Sequence, residues 1–358
     1  MSGPLKLLLA TGGSGGHIYP ALAVGREALS RGVRVAVMGG VGGMEERLTA
    51  EAGFEFMGVS TGKWDRQRPD PRQAYRAAAG LWTARRLARS FAPDLVMGFG
   101  GFASLPGCVA ARTLGVPLVL HEGNAYPSRV NRWFASSSRL FVAAQEEALA
   151  HVRPRRSLVV PYPVREDSVE KNEALERLGL PRGAVVTLVM GGSQGSLALN
   201  RAVPAAFDEL EAPATLEGPH VVLHSTGPRW IQDVRHTVTS PAYHAEPYLD
   251  ATLAWSAAAL AITRAGVGTL SEAAYHGVPT VMVPLPTAAE NHQLHNARAV
   301  EGAGAGLVVE ERELARLPEA WASALEPGWR RTAAAAARAR TPAGAARRIV
   351  DAVLELVT

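Results

Sequence analysis

Twice in this chain an apolar run stops at a cluster of glycines that opens a helix, and the two places lie about 180 residues apart. The first is Leu5-Lys-Leu-Leu-Leu-Ala10 followed by Thr11-Gly-Gly-Ser-Gly-Gly-His17. The second is Val185-Val-Thr-Leu-Val-Met190 followed by Gly191-Gly-Ser-Gln-Gly-Ser196. A strand that passes through such a turn into a helix leaves backbone N–H groups unpaired at the helix start. Together with the helix dipole they form a seat for phosphate. Two seats in two halves predict two α/β domains facing one another across a cleft, each holding part of a phosphorylated substrate.

Neither turn carries the dinucleotide fingerprint, which needs G-x-G-x-x-G and an acid ending the second strand. Counted from Gly13 and Gly15, the third glycine position is Ile18, and the strand at 33–38 ends in Gly39-Gly40. The strand at 220–225, after the second turn, runs into Thr226-Gly227. A nicotinamide dehydrogenase is therefore disfavoured.

Strand and helix patterns alternate along the 358 residues, which implies parallel sheets covered by helices. Strands are expected at 5–10, 33–38, 94–98, 117–121, 139–143 and 157–160, then at 185–190, 220–225, 258–262, 279–283 and 306–309. The rigid Pro161-Tyr-Pro163 marks a boundary. The reading is a domain at 1–161, joined by a last helix at 343–358, and a second domain at 162–342. That last helix carries Ile349, Val350, Val353 and Leu356 on one face. With 47% hydrophobic and 20% charged residues, the chain has material for two large cores. One cysteine, Cys108, excludes an internal disulfide and fits a reducing compartment. No apolar run reaches the roughly 20 residues that span a bilayer, and the first residues lack a secretory pattern. A net charge of +4 and a pI near 9.4 favour an anionic partner, phosphorylated substrate or acidic lipid.

The densest chemical signal lies at 262–296. Gly266 and Gly268 allow close approach of backbone to ligand, and Thr269 falls in the first turn of the next helix. Glu272, one turn on, suits both hydroxyls of a ribose, or is simply a first-turn acid favoured by the dipole. His292, Gln293 and Asn296 fall within one helical turn and either share a binding face or form a polar surface.

These segments resemble the MurG family of GT-B fold glycosyltransferases, built of two Rossmann-like doubly wound parallel-sheet domains. The matching runs, in order, are Gly12-Gly-Ser-Gly-Gly-His17 with Pro20, Gly98-Phe-Gly-Gly-Phe102, His121-Glu-Gly-Asn124, Pro163-Val-Arg165, Gly191-Gly-Ser-Gln-Gly195, Arg264 to Glu272, and Asn291-His-Gln293 with Asn296. The family transfers N-acetylglucosamine (GlcNAc) from UDP-GlcNAc to undecaprenyl-pyrophosphoryl-MurNAc-pentapeptide (lipid I), giving lipid II. The resemblance implies that the second domain binds the donor: Ser193 and Gln194 at the diphosphate and sugar side, Arg165 near the nucleotide, Tyr248 at the uracil, Thr269 at phosphate and Glu272 at ribose. Gln293 and Asn296, with His292 beside them, would contact GlcNAc. It implies that the first domain binds lipid I, with Gly13, Ser14, Gly15 and Gly16 at the pyrophosphate and His17, Glu122 and Asn124 near the acceptor sugar. The chain departs from the family at Gly123, usually Gln; at Tyr162, usually Asn; at Ala265, often Ser; and at Pro247-Tyr-Leu-Asp-Ala251, which weakens the match at the uracil contact.

The chemistry needs a base for the acceptor hydroxyl and stabilisation of the departing diphosphate. His17 is the first candidate base by residue type, or else a phosphate ligand; Glu122 is the second. In-line attack would invert the α-linked donor. No Asp-x-Asp occurs in the chain, so no tightly bound metal or other cofactor is expected. Between Lys63 and Arg89, eight basic residues (Lys63, Arg66, Arg68, Arg72, Arg76, Arg85, Arg86, Arg89) stand against Asp65 and Asp70, with Tyr75, Ala78, Ala79 and Trp82 at helical spacing. This stripe suits an anionic membrane surface, or is a packed helix with a solvated basic face. The resemblance places the protein peripherally on the cytoplasmic face of the bacterial inner membrane, with cell-wall synthesis proteins as further partners and no nucleic acid. Three rivals stay open: a GT-B transferase with a diacylglycerol or small-molecule acceptor, a UDP-GlcNAc 2-epimerase, and a non-catalytic membrane-anchoring subunit. The last would lack one half, or Glu272 and Gln293.

Overall fold

The structure, a computed structural model, describes residues 3–61, 71–192 and 194–357. The chain divides into two compact units, residues 1–164 with 344–358, and residues 165–343.

The first unit runs β1 Lys6–Ala10, α1 Gly15–Ser30, β2 Arg34–Gly40, α2 Met44–Glu51, β3 Glu55–Val59, α3 Pro71–Phe91, β4 Leu95–Gly98, α4 Leu105–Leu114, β5 Leu118–Glu122, α5 Arg129–Phe134, β6 Leu140–Ala143 and β7 Ser157–Val159. Its seven strands are parallel, in the order β3-β2-β1-β4-β5-β6-β7. Leu8 and Leu9 of β1 are wholly buried, because helices cover both faces of a parallel sheet. On one face Leu7 and Leu9 pack with Ile18 and Leu22 of α1; on the other Leu8 packs with Ala84 and Ala88 of α3.

The second unit runs α6 Lys171–Arg177, β8 Val185–Met190, α7 Leu197–Asp208, β9 His220–Ser225, α8 Ile231–Thr237, β10 Tyr243–Glu246, α9 Ala251–Ala257, β11 Ala258–Thr263, α10 Val267–His276, β12 Thr280–Met282, α11 His292–Gly302, β13 Gly306–Val308, α12 Leu317–Leu325 and α13 Pro327–Arg340. Its sheet is also parallel, ordered β10-β9-β8-β11-β12-β13. In both sheets the strand order reverses beside the first strand, between β1 and β4 and between β8 and β11. Ligands of open α/β sheets bind outside the strand ends at such a reversal. All four loops that leave these strands belong to the glycine-rich segments singled out above.

The last helix, α14 Ala345–Leu354, belongs to the first unit: Ile349, Val350 and Val353 sit in the core beside Leu7 and Leu9. The boundary lies after Val164 rather than after residue 161. Tyr162 is buried in the first unit and its hydroxyl donates to the Gly16 carbonyl at 3.0 Å. Beyond the strands expected from the sequence lie β3 and β10, and the short helices α6, α9 and α12 complete the second unit. Both strands lie at sheet edges, and the helices run only seven to nine residues.

Candidate active site

In the first unit the glycine turn, the Gly98–Phe102 turn and the β5–α5 loop come together. The Ser14 hydroxyl and His17 Nδ1 are 3.0 Å apart, and the Thr11 hydroxyl donates to the His17 carbonyl at 2.7 Å. Gly101 lies against the His17 ring so closely that a Cβ there would stand 2.9 Å from Nδ1. Pro20 has no N–H to give the carbonyl four residues back, which is that of Gly16. The Tyr162 hydroxyl satisfies that carbonyl instead, so a departure from the family pattern supports the turn from outside the helix.

Glu122 is buried, and four N–H groups occupy its carboxylate. Oε1 accepts from Asn124 N at 3.0 Å and Asn124 Nδ2 at 2.9 Å; Oε2 accepts from Ser128 N at 2.8 Å and Asn131 Nδ2 at 2.9 Å. Burial pushes its pKa up, opposed by these hydrogen bonds. A carboxylate so engaged holds the β5–α5 loop. Asn124, which supplies two of these donors, is 8% exposed. Gln145 Nε2 donates to the Gly123 carbonyl at 3.1 Å, steadying the same loop. His121 is buried against Phe99 and Tyr162, and desolvation, with His17 nearby, lowers its pKa to about 3. The Gly13 N–H donates to the buried Glu45 carboxylate at 3.3 Å.

In the second unit the turn after β8 sits on the turn after β9. A Cβ at Gly195 would collide with the Thr226 carbonyl, so only glycine closes this turn. Asn200 Nδ2 donates to that carbonyl at 2.9 Å. The Asn200 oxygen must then accept from His224 Nε2, 3.0 Å away, and His224 Nδ1 accepts from the Tyr243 hydroxyl at 2.7 Å. This chain fixes one neutral tautomer of His224, whose pKa burial lowers to about 3. Ser196 caps α7 and accepts from Arg264 Nε at 3.0 Å. Arg264 also donates to the Val283 carbonyl at 3.2 Å and pairs with Glu311 at 2.6 Å, joining the ends of three segments.

Glu272 lies on α10, where Trp255 Nε1 donates to Oε2 at 3.2 Å. Burial raises its pKa; the Trp255 hydrogen bond and the charge of Arg165 lower it. Thr269 is in the first turn of the same helix. Glu290 and Asn291, both left-handed at φ 53° and 55°, turn the chain into α11. From there Gln293 Oε1 accepts from Ala265 N at 3.2 Å and Leu285 N at 3.0 Å, tying both loops. His292 is partly exposed, with Nδ1 2.8 Å from the Ala289 carbonyl. Asn296 differs from expectation: it is wholly buried beside Ala297 and donates to the Ala265 carbonyl at 3.2 Å, so it supports the loop rather than presenting a surface. Tyr248 is 60% exposed, and Arg165 is exposed with Asp167 3.7 Å away. Gln194 is exposed at the turn; Ser193 lies outside the described residues.

A family model for the glycosyltransferase family 28 N-terminal domain matches residues 7–139, and one for the glycosyltransferase family 28 C-terminal domain matches residues 186–349. The chain is 46% identical, over 97% of its length and 94% of the other's, to a Deinococcus radiodurans protein named UDP-N-acetylglucosamine--N-acetylmuramyl-(pentapeptide) pyrophosphoryl-undecaprenol N-acetylglucosamine transferase. The chain belongs to glycosyltransferase family 28. A family 28 relative of the same name from Thermus thermophilus is 40% identical over 84% of this chain and 87% of its own. The crystal structure of Acinetobacter baumannii MurG superposes with a TM-score of 0.81 at 26% identity, covering 98% of this chain and all of that one. The two parallel-sheet units are thus the GT-B architecture of a glycosyltransferase.

On α3, Gly80, Ala84, Ala88 and Phe91 face inward. Trp82 is 66% exposed, with the Arg86 guanidinium 5.3 Å from its ring centroid. The stripe through Ala78, Ala79 and Trp82 is therefore the outer face, not the packed one. Lys63, Asp65, Arg66, Arg68 and Asp70, and the side chains of Arg72, Tyr75 and Arg76, lie outside the description. Among the described residues no helix is long and apolar enough to cross a membrane.

Proposed function

We propose that this chain transfers GlcNAc from UDP-GlcNAc to the C4 hydroxyl of MurNAc in lipid I, giving lipid II for peptidoglycan. The 46% identity to a transferase of that name over nearly the whole chain carries the reading. The second unit holds the donor. Glu272 takes the ribose diol, Thr269 and the turn at Ser193 and Gln194 take the diphosphate, and Arg165 answers its charge. The Gln293 NH₂ and His292 address the sugar, and Tyr248 borders the uracil. Asn296 acts through the Ala265 carbonyl.

The first unit holds lipid I on the amides that begin α1. With Nδ1–H donating to Ser14, His17 Nε2 is the base for the C4 hydroxyl. That oxygen attacks the anomeric carbon as the bond to the UDP oxygen breaks, inverting the α linkage to β. Fixed N–H groups and Arg165 stabilise the charge gained by leaving UDP, without a metal. The exposed Trp82 with Arg85, Arg86 and Arg89 gives α3 a face for the anionic cytoplasmic leaflet.

The test is incubation with UDP-GlcNAc and a lipid I analogue in excess EDTA, after gel filtration. UDP release with a GlcNAc-extended lipid is the expected result. Conversion of free UDP-GlcNAc to its 2-epimer without lipid would overturn the reading. Loss of turnover restored only by Mg²⁺ would overturn the metal-free part alone.

A further inference from the structure

Glu45, on the first turn of α2, is 3% exposed and lies among glycines. Its Oε1 accepts from Gly40 N at 2.9 Å and its Oε2 from Gly13 N at 3.3 Å. Among the described residues no lysine, arginine or histidine forms an ion pair with it. A Cβ at Gly12 would collide with Oε1, and one at Gly43 would stand 2.5 Å from Oε2. Gly12, Gly39, Gly40 and Gly43, in three separate segments, thus forgo side chains where a Cβ would meet the Glu45 side chain. Burying a charge without a cation is costly unless hydrogen bonds to it are strong and fixed. An apolar residue would fill this space without that penalty, so packing alone does not account for the acid.

We propose that Glu45 is a positioning residue for the acceptor half of the reaction. It engages the Gly13 amide and so sets the left-handed turn at Gly12 and Gly13, with φ 146° and 84°. The acceptor anion is then confined to the amides beyond Ser14, beside His17. The carboxylate also denies the pyrophosphate a deeper seat on Gly13 and Gly40, since two anions cannot share those N–H groups. Glu45 thereby fixes how far lipid I enters the turn, and with it the distance from the MurNAc hydroxyl to His17. This inference rests on the lipid I reading above.

The experiment uses Glu45→Gln in the full chain. Steady-state kinetics are measured for a lipid I analogue and for UDP-GlcNAc, with UDP affinity by calorimetry and Gly13 and Gly40 amide shifts by NMR. The expected result is a loss of about tenfold or more in kcat/KM for the acceptor. UDP affinity should stay within about twofold, and both amide protons should move upfield as the charge is removed. Gly43→Ala is the second variant. At φ −87° alanine is tolerated by the backbone, and its methyl displaces the carboxylate from outside the turn. It should reproduce the acceptor loss in milder form, and it carries the test should Glu45→Gln not fold. Unchanged acceptor kinetics in folded variants, or equal losses for donor and acceptor, would overturn the proposal. Wild-type protein that does not turn over lipid I would instead overturn the functional reading, and the NMR arm would still report whether Glu45 holds the two amides.

Discussion

The two glycine turns share a shape and differ in what lies beneath them. Under the first is a carboxylate, Glu45, with a second, Glu122, under the neighbouring loop. Under the second is a neutral chain, Tyr243–His224–Asn200, ending on the Thr226 carbonyl, with the cation Arg264 on the Ser196 cap. In the proposed reaction the two pyrophosphate groups have different fates. Donor diphosphate gains charge in the transition state, so its seat benefits from neutral or positive surroundings. The acceptor pyrophosphate is unchanged, and tight binding of it would stabilise ground and transition states alike. An acidic floor under the first turn costs the chemistry little; under the second it would oppose the leaving group.

The largest expected effect comes from the acceptor side. Replacing His17 with alanine should lower kcat by about 10²–10⁴ if it is the base, with an acidic limb in the kcat profile that the variant lacks. If it only binds phosphate, the change should fall mainly on lipid KM. UDP affinity should survive either way. A His17→Ala enzyme that loses UDP but keeps lipid would reverse the division between the two turns.

The same substitution at corresponding points should separate them further. Gly195→Ala drives a methyl into the Thr226 carbonyl, whereas a Cβ at Gly13 meets nothing within 4 Å. Displacing the donor turn by about 1 Å should cost on the order of a hundredfold in kcat/KM for UDP-GlcNAc. Gly13→Ala should add only backbone strain of about 1–2 kcal/mol and leave donor kinetics near wild type. Equal donor losses would mean that the floors do not matter.

Glu272→Ala sharpens the donor side. Loss of a charge-assisted pair to the ribose should raise donor KM by about 1.5–3 kcal/mol equivalent, roughly 10- to 150-fold. Donor KM within about twofold of wild type would remove Glu272 from the site.

Both turns were legible in the sequence because an apolar strand, a glycine cluster and a helix lie contiguously in it. What holds them was not. Glu45 lies 32 residues from Gly13, Asn200 lies 24 from His224, and Tyr162 lies 146 from Gly16. No local pattern joins such pairs. Pro20 was the one available clue, since a proline inside a helix announces an orphan carbonyl at Gly16. Spacing put Asn296 on one face with His292 and Gln293, but spacing cannot tell an inward face from an outward one. Ala297 and Val300 beside it are buried, and the face turns in. Glu122 looked like a base by type; three of its four donors come from the loop after β5, whose path a sequence does not show, and the fourth, Asn131 Nδ2, comes from α5.

The smallest expected effect is thermodynamic and again divides the halves. Burial lowers the pKa of His121 to about 3 in the first unit, and of His220, His224 and His276 to about 4, 3 and 4 in the second. Each ring is neutral when folded but gains a proton in the unfolded chain below its ordinary value near 6.5. Its stabilisation is therefore complete above that value and is lost as pH falls toward the folded pKa. For the deeply buried His121 and His224 the slope approaches about 1.4 kcal/mol per pH unit; the others, more open to solvent, contribute less. Glu122 and Glu272, both raised by burial, act in the opposite sense, one in each unit, and leave the comparison intact. With three such rings against one, acid should loosen the second unit first. Hydrogen exchange at pH 7.5, 6 and 5, corrected for intrinsic rates, should show β8 and β9 losing protection before β1 and β4. Earlier loss in β1 and β4 would mean that a group other than these rings governs acid stability.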